Sequence, residues 1–176
     1  KILANATKLI CNSQNTANLL LNNWQTDSRI IKILNPGCDT NKFVPAESDK
    51  HIKSKLGWHN KKVILTVGRL QERKGQDMLI KALPAIKEFF PNILYAIIGG
   101  GKEKYKLEKL VSKLNLQDNV MFMSEVDDEE MIQAYQQCDL FVLPNRTVGK
   151  DIEGFGMVLV EAQACGTPVI AYGKGG

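Results

Sequence analysis

The strongest constraint on the fold of this chain is a repeated switch between two hydrophobic periods. From residue 62 onward, short apolar runs alternate with longer stretches whose apolar residues recur every three or four positions. The runs at 62–67 (KVILTV), 94–98, 120–123, 140–143 and 169–171 have the length of strands, and the first reads as buried on both faces. Between them lie helical patterns at 75–90, 102–114 and 129–137, and a further helix that carries Glu161. The first pattern sets Met78, Leu79, Leu83, Ile86 and Phe90 on one side, and the second sets Leu107, Leu110, Val111 and Leu114. Such alternation demands βαβ units, hence an α/β domain with a doubly wound parallel sheet whose ligands lie beyond the carboxyl ends of the strands. Pro84 inside the 75–90 pattern removes one backbone donor, which calls for a kink or an earlier helix end.

The first third of the chain is less regular. An apolar run at 8–12 precedes a helical pattern at 13–23, with Ser13 as N-cap and Ala17, Leu20, Leu21 and Trp24 at helical spacing. A strand at 30–34 ends in the turn Asn35-Pro36-Gly37, and a short helix at 48–56 is closed by Gly57.

Composition removes several classes of function. At 176 residues and 44% hydrophobic content the chain can bury a core. Its net charge of +4 is spread among acids, unlike the concentrated basic footprint of a nucleic-acid binder. The four cysteines (11, 38, 138 and 165) lie far apart and read as buried reduced thiols, which suits the cytoplasm. His51 and His59 have no further ligand types around them and read as surface residues. No apolar run reaches the length of a membrane span and no leader pattern opens the chain. The first residues read like the middle of a domain and the last stop at Gly-Gly after a strand, so a fragment of a longer protein is expected.

Chemistry concentrates where strands end. After the 62–67 run comes GRLQERKG, which puts Gly68, Arg69 and Lys74 at a carboxyl edge, where two permanent cations suit a diphosphate; Arg73 reads as solvated. Gly99-Gly100-Gly101 either exposes N–H groups to a phosphate or turns the chain. The run MSEVDD contains Val126, and the acids 127–130 read as a helix cap rather than a metal cluster. NRTVGKD, with Arg146 and Lys150, reads as a polar, mobile loop. The stretch DIEGFGMVLVEAQACGTPVIA places Glu153 before a helix and Glu161 within it. Between them the turn Gly154-Phe155-Gly156 lets backbone approach a guest, and the N–H groups of the new helix point at an anion.

That last stretch strongly resembles the signature of retaining GT-B glycosyltransferases. GRLQERKG resembles their phosphate motif, and NPGCDTNKF resembles the connection between their two halves, with Cys38 in the place of a small aliphatic residue. The resemblance covers residue 35 to the end. It implies a Rossmann-like C-terminal half of a GT-B fold, truncated at its end, with residues 1–34 a remnant of the N-terminal acceptor domain and 35–176 the incomplete donor-binding domain. It further implies a nucleotide-diphosphate sugar donor, GDP- or UDP-linked, with no cofactor, no metal and no nucleic acid. Arg69 and Lys74 would neutralise the departing diphosphate together with backbone N–H groups of Gly156, Met157 and Val158. Glu153 would meet hydroxyls of the transferred sugar, Glu161 the ribose, and Val126 the nucleobase, although Ser124 stands where the family usually has glycine. Gly68, Gly100, Gly154 and Phe155 complete the implied binding set. Substitution would proceed from the front face, assisted by the leaving phosphate. The missing N-terminal domain would supply the acceptor site and any peripheral contact with the inner face of the membrane, so these 176 residues should bind donor without turning over. Two rivals are a non-catalytic nucleotide-binding module and an NAD-dependent dehydrogenase domain, the latter disfavoured by the missing G-x-G-x-x-G.

Overall fold

The computed structural model describes residues 3–149 and 151–173. A small parallel pair, β1 (Leu9–Cys11) with β2 (Ile31–Ile33), is crossed over by α1 (Gln14–Trp24). Ser13 caps α1 through its hydroxyl, and Ala17 is buried, but Trp24 is exposed despite its helical spacing. The connection that follows buries Phe43 and leads into α2 (Lys50–Lys55), capped by the Asp49 carboxylate.

The larger sheet holds β3 (Lys62–Val67), β4 (Ile93–Ile98), β5 (Val120–Met123), β6 (Leu140–Leu143) and β7 (Val169–Ala171) in the order β5-β4-β3-β6-β7, every neighbouring pair parallel. The crossovers are α3 (Gln76–Phe89), α4 (Lys104–Lys113), α5 (Asp128–Gln137) and α6 (Met157–Ala164). From β3 the chain winds outward to β5 and then returns to β6 on the opposite flank of β3. The loops after β3 and β6 therefore part in opposite directions, and the topological switch point opens between them.

Side-chain alternation builds a core on each face. Val63, Leu65, Val67, Leu94, Ala96 and Ile98 join Tyr135 of α5 and Ala162 of α6 on one side. Ile64, Ile93, Tyr95 and Ile97 join Leu79, Ile80 and Leu83 of α3 and Leu107 and Val111 of α4 on the other. Two polar groups inside the sheet satisfy each other: Tyr95 O–H donates to Thr66 Oγ1 at 2.9 Å, and Thr66 donates to the Val142 carbonyl at 2.6 Å.

The expected α/β, doubly wound sheet is present, with element ends one or two residues from their expected places. Two inward assignments on α3 are corrected: Met78 is 50% and Phe90 54% exposed, because the face that meets the sheet is narrower than the apolar stripe and Phe90 lies past the last turn. Pro84 neither ends nor shortens α3, which runs through it on the exposed side.

Gly75 joins the two sides of the switch point. Its φ of +68° is disfavoured for side-chain-bearing residues, and a Cβ there would sit 1.8 Å from the Pro144 carbonyl oxygen. Gly75→Ala is expected to cost about 2–4 kcal/mol from strain plus overlap, read as a lower denaturation midpoint; an unchanged midpoint would show that the two loops do not pack this closely.

Candidate functional site

The segments after β3, β4 and β6 meet at the carboxyl edge of the sheet. Leu70 N–H donates to the Gly100 carbonyl at 2.9 Å and Glu103 N–H to the Leu70 carbonyl at 3.2 Å. The approach is so close that a Cβ on Gly99 would lie 2.3 Å from Gly68 O, and one on Gly101 2.5 Å from Leu70 O. Gly99 and Gly101 thus serve loop-to-loop packing, while Gly100 is exposed with open space beside it. On the other flank, Arg146 N–H donates to the Arg73 carbonyl at 2.7 Å.

Across the switch point these loops exchange charge. Lys74 closes a 3-10 turn at Glu72–Lys74 and is buried; its Nζ lies 2.5 Å from Glu153 Oε2. Arg73 Nη1 reaches the same oxygen at 2.8 Å, and its Nε lies 3.1 Å from Asp151 Oδ1. The solvated reading of Arg73 is corrected: its side chain is 18% exposed, because the 3-10 turn rotates it toward the β6 loop instead of outward. Burial alone would raise the Glu153 carboxyl, but the hydrogen bond and charge of Lys74, then those of Arg73, bring it below the usual carboxylate range. Arg69, by contrast, has an exposed side chain, while its carbonyl is held by the buried Gln76 amide at 3.2 Å. Gly68 lies against the Lys74 side chain.

Glu153 is followed by the glycine turn and α6. Gly156 adopts φ +86° as N-cap and no side chain caps the helix, which leaves the first N–H groups of α6 without a side-chain cap. Gly154 approaches the small sheet: Ser13 Oγ donates to its carbonyl at 2.7 Å, and a Cβ would meet Asn12 Nδ2 at 3.3 Å. Phe155, Met157 and Val158 are half-buried, Val158 against the core. Glu161 is half-buried on α6 and accepts a 2.8 Å hydrogen bond from the fully buried Tyr135 hydroxyl.

The remaining expectations fall as follows. Val126 packs half-buried against the core below β5, and Asp127 caps α5 by accepting from Glu130 N–H. Arg146 pairs with Asp77 at 2.9 Å and Glu72 at 3.6 Å, so it ties its loop to α3; Lys150 lies outside the described residues. A short bridge between Val148 and Asp151 gives that loop structure of its own. His51 and His59 are exposed, and among the described residues no three His, Cys, Asp or Glu side chains are placed to hold a metal ion. The thiols are free; burial pushes Cys138 up to about 12 and Cys165 up to about 11, which keeps both neutral. A hollow of about 370 Å³ between α3 and α4 is lined by Asp77, Lys81, Glu103, Lys106 and Arg146. Those charges are paired with one another. Sequence reasoning missed Arg73, Tyr135 and the contact of Asn12 and Ser13 with Gly154. The spacing of Tyr135 marks a core residue, and nothing in the local pattern reveals where its hydroxyl ends.

A five-stranded parallel sheet in the order β5-β4-β3-β6-β7 matches the Rossmann-like domains of GT-B glycosyltransferases. The chain belongs to the family described as Glycosyl transferases group 1, matched over residues 48–176. It is 38% identical over 152 residues to the GDP-mannose-dependent alpha-(1-6)-phosphatidylinositol monomannoside mannosyltransferase of Mycolicibacterium smegmatis, covering 85% of this chain and 40% of that protein. It is 31% identical to the D-inositol 3-phosphate glycosyltransferase of Corynebacterium jeikeium, over the whole of this chain and 43% of that one. Among solved structures, Anabaena HepE in complex with UDP and glucose superposes with a TM-score of 0.84 at 29% identity, covering 97% of this chain and 46% of HepE. The chain thus spans about two fifths of the length of these curated relatives. Among the described residues no helix is long and apolar enough to cross a membrane.

The lowered Glu153 carboxyl has a consequence for stability. Its folded value lies below an unfolded value near about 4.3, so its contribution is complete above that pH and disappears as pH falls through the folded value. The stability advantage of the wild type over Glu153→Gln, measured by denaturant unfolding, is expected to shrink as pH drops from about 6 to below about 4. A gap that stays constant over this window would mean that the carboxylate is not held by Lys74 and Arg73.

Proposed function

We propose that this chain is the donor-binding, C-terminal part of a retaining glycosyltransferase that moves a sugar from a nucleotide-diphosphate sugar to an acceptor. The observation that carries the reading is the meeting of Lys74 and Glu153, from separate crossovers, at the switch point of the sheet. In this reading residues 1–34 belong to the acceptor domain and 35–176 to the donor domain. The contact of Gly154 with Ser13 then sits at the seam between the two.

The donor's diphosphate lies against Arg69, Lys74, the backbone at Gly68 and Gly100, and the N–H groups of Gly156, Met157 and Val158. Fixed cations and helix N–H groups stabilise the negative charge that grows on the departing diphosphate, in a cleft drier than bulk water. Lys74 must then share its charge between phosphate and Glu153, and Arg73 is placed to keep Glu153 ionised meanwhile. Glu153, as a carboxylate, accepts from hydroxyls of the sugar, Glu161 from the ribose, and Val126 and Phe155 line the apolar parts of the donor. The leaving phosphate takes the acceptor's proton on the same face from which the acceptor attacks, which gives retention with no side-chain nucleophile.

The relatives' names support a GDP- or UDP-linked donor. GDP-mannose is named for the mannosyltransferases, and UDP-glucose is bound in a HepE complex. Calorimetric titration with GDP, UDP, ADP and their sugars identifies the base. Arg69→Ala and Lys74→Ala are each expected to weaken binding of the preferred diphosphate by about tenfold or more, the scale of one hydrogen bond to a charged group, with much smaller effects on the matching monophosphate. Equal affinity of wild type and both variants would remove these two cations from the site.

A further inference from the structure

Tyr135 stands out among the groups around the site, because it is the largest of them with no role so far. It is a ring on α5 with no exposed surface, and its hydroxyl reaches across to Glu161 on the neighbouring helix at 2.8 Å. The ring has little freedom. It lies edge-on to Phe43 with centroids 6.1 Å apart and tilted against Phe141 at 5.6 Å. Its carbonyl accepts from the Thr167 hydroxyl at 2.5 Å and from the Cys138 thiol at 3.3 Å. Ring and backbone are therefore anchored from the connection after β2, from β6 and from the turn before β7.

The donor in this pair is unambiguous. Burial and the neighbouring carboxylate push the Tyr135 hydroxyl well above its ordinary value, so it keeps its proton at any working pH and Glu161 accepts. A free glutamate on a half-exposed helix face samples several rotamers, and the cost of fixing them falls on any ligand it holds. Here one carboxylate oxygen is pinned, which fixes the plane of the group and leaves Oε1 and the second lone pair of Oε2 in a constant direction.

We infer that Tyr135 is a positioning residue for Glu161, and that the hydrogen bond between them sets how strongly the chain distinguishes a ribonucleotide from its 2′-deoxy counterpart. The inference rests on the reading of Glu161 as the ribose ligand. A buried tyrosine hydroxyl needs some acceptor. This one takes the single carboxylate of the neighbouring helix.

The test is the ratio of dissociation constants for GDP and 2′-deoxy-GDP, and for UDP and 2′-deoxy-UDP, measured by calorimetry on the full chain. Wild type is expected to favour the ribonucleotide of its preferred base by about tenfold or more, one hydrogen bond to a charged group. Glu161→Gln should bring the ratio near one. Tyr135→Phe should lower it to about threefold or less, mainly through weaker binding of the ribonucleotide, because the deoxy compound never used the pinned carboxylate fully. Leu83→Ala, which removes packing on the opposite face of the sheet, should lower the melting temperature and keep the wild-type ratio. A Tyr135→Phe chain that folds and keeps the full ratio, or one that does not fold, would give the hydroxyl a purely structural role and overturn the inference. If Glu161→Gln also keeps the full ratio, the ribose reading itself falls and takes this inference with it. If only Tyr135→Phe keeps it, the ribose reading stands alone.

Discussion

The site depends on one ion pair between residues 79 positions apart in sequence. Lys74 and Glu153 meet because β3 and β6 lie side by side while their crossovers leave in opposite directions. Neither charge is well solvated there, with side-chain exposures of 11% and 12%. An ion pair with so little water is worth keeping only if its desolvation is offset by geometry and by further partners. Arg73 supplies one such partner, and Asp151 then balances Arg73. The result is a four-membered charge network whose net sign is neutral, placed at the topological switch point of the sheet. A diphosphate entering beside it brings negative charge that Lys74 and the exposed Arg69 are placed to answer.

The same crossovers are locked by backbone contacts that only glycine allows. Gly75 against Pro144 closes the distance between the β3 and β6 loops, and Gly99 and Gly101 against Gly68 and Leu70 close that between the β3 and β4 loops. Those contacts hold the charge network in register without large side chains. The apolar sheet beneath is buried on both faces, which gives the loops a rigid base.

Much of this was legible in the sequence. The change of period along the chain specifies the sheet and its winding, and the glycine-flanked basic and acidic segments specify which loops carry charge. Periodicity overstated the buried face of α3, since Met78 and Phe90 obey the spacing yet sit where the helix has already turned from the sheet or ended. Arg73 was misread because a basic residue in a polar run is solvated by default, and only the 3-10 turn at Glu72–Lys74 turns it inward. The pairing of Tyr135 with Glu161 was invisible for a different reason. It is a contact between adjacent crossovers, set by how two helices pack on one face, and no local pattern encodes it.

The account is tested most directly by a crystal structure of the chain with a bound nucleotide-diphosphate sugar, GDP-mannose first. It predicts the diphosphate between Arg69, Lys74 and the first turn of α6, the ribose on Glu161 and the sugar beside Glu153. A guest seated in the hollow between α3 and α4, with Lys74 and Glu153 still paired and untouched, would contradict it.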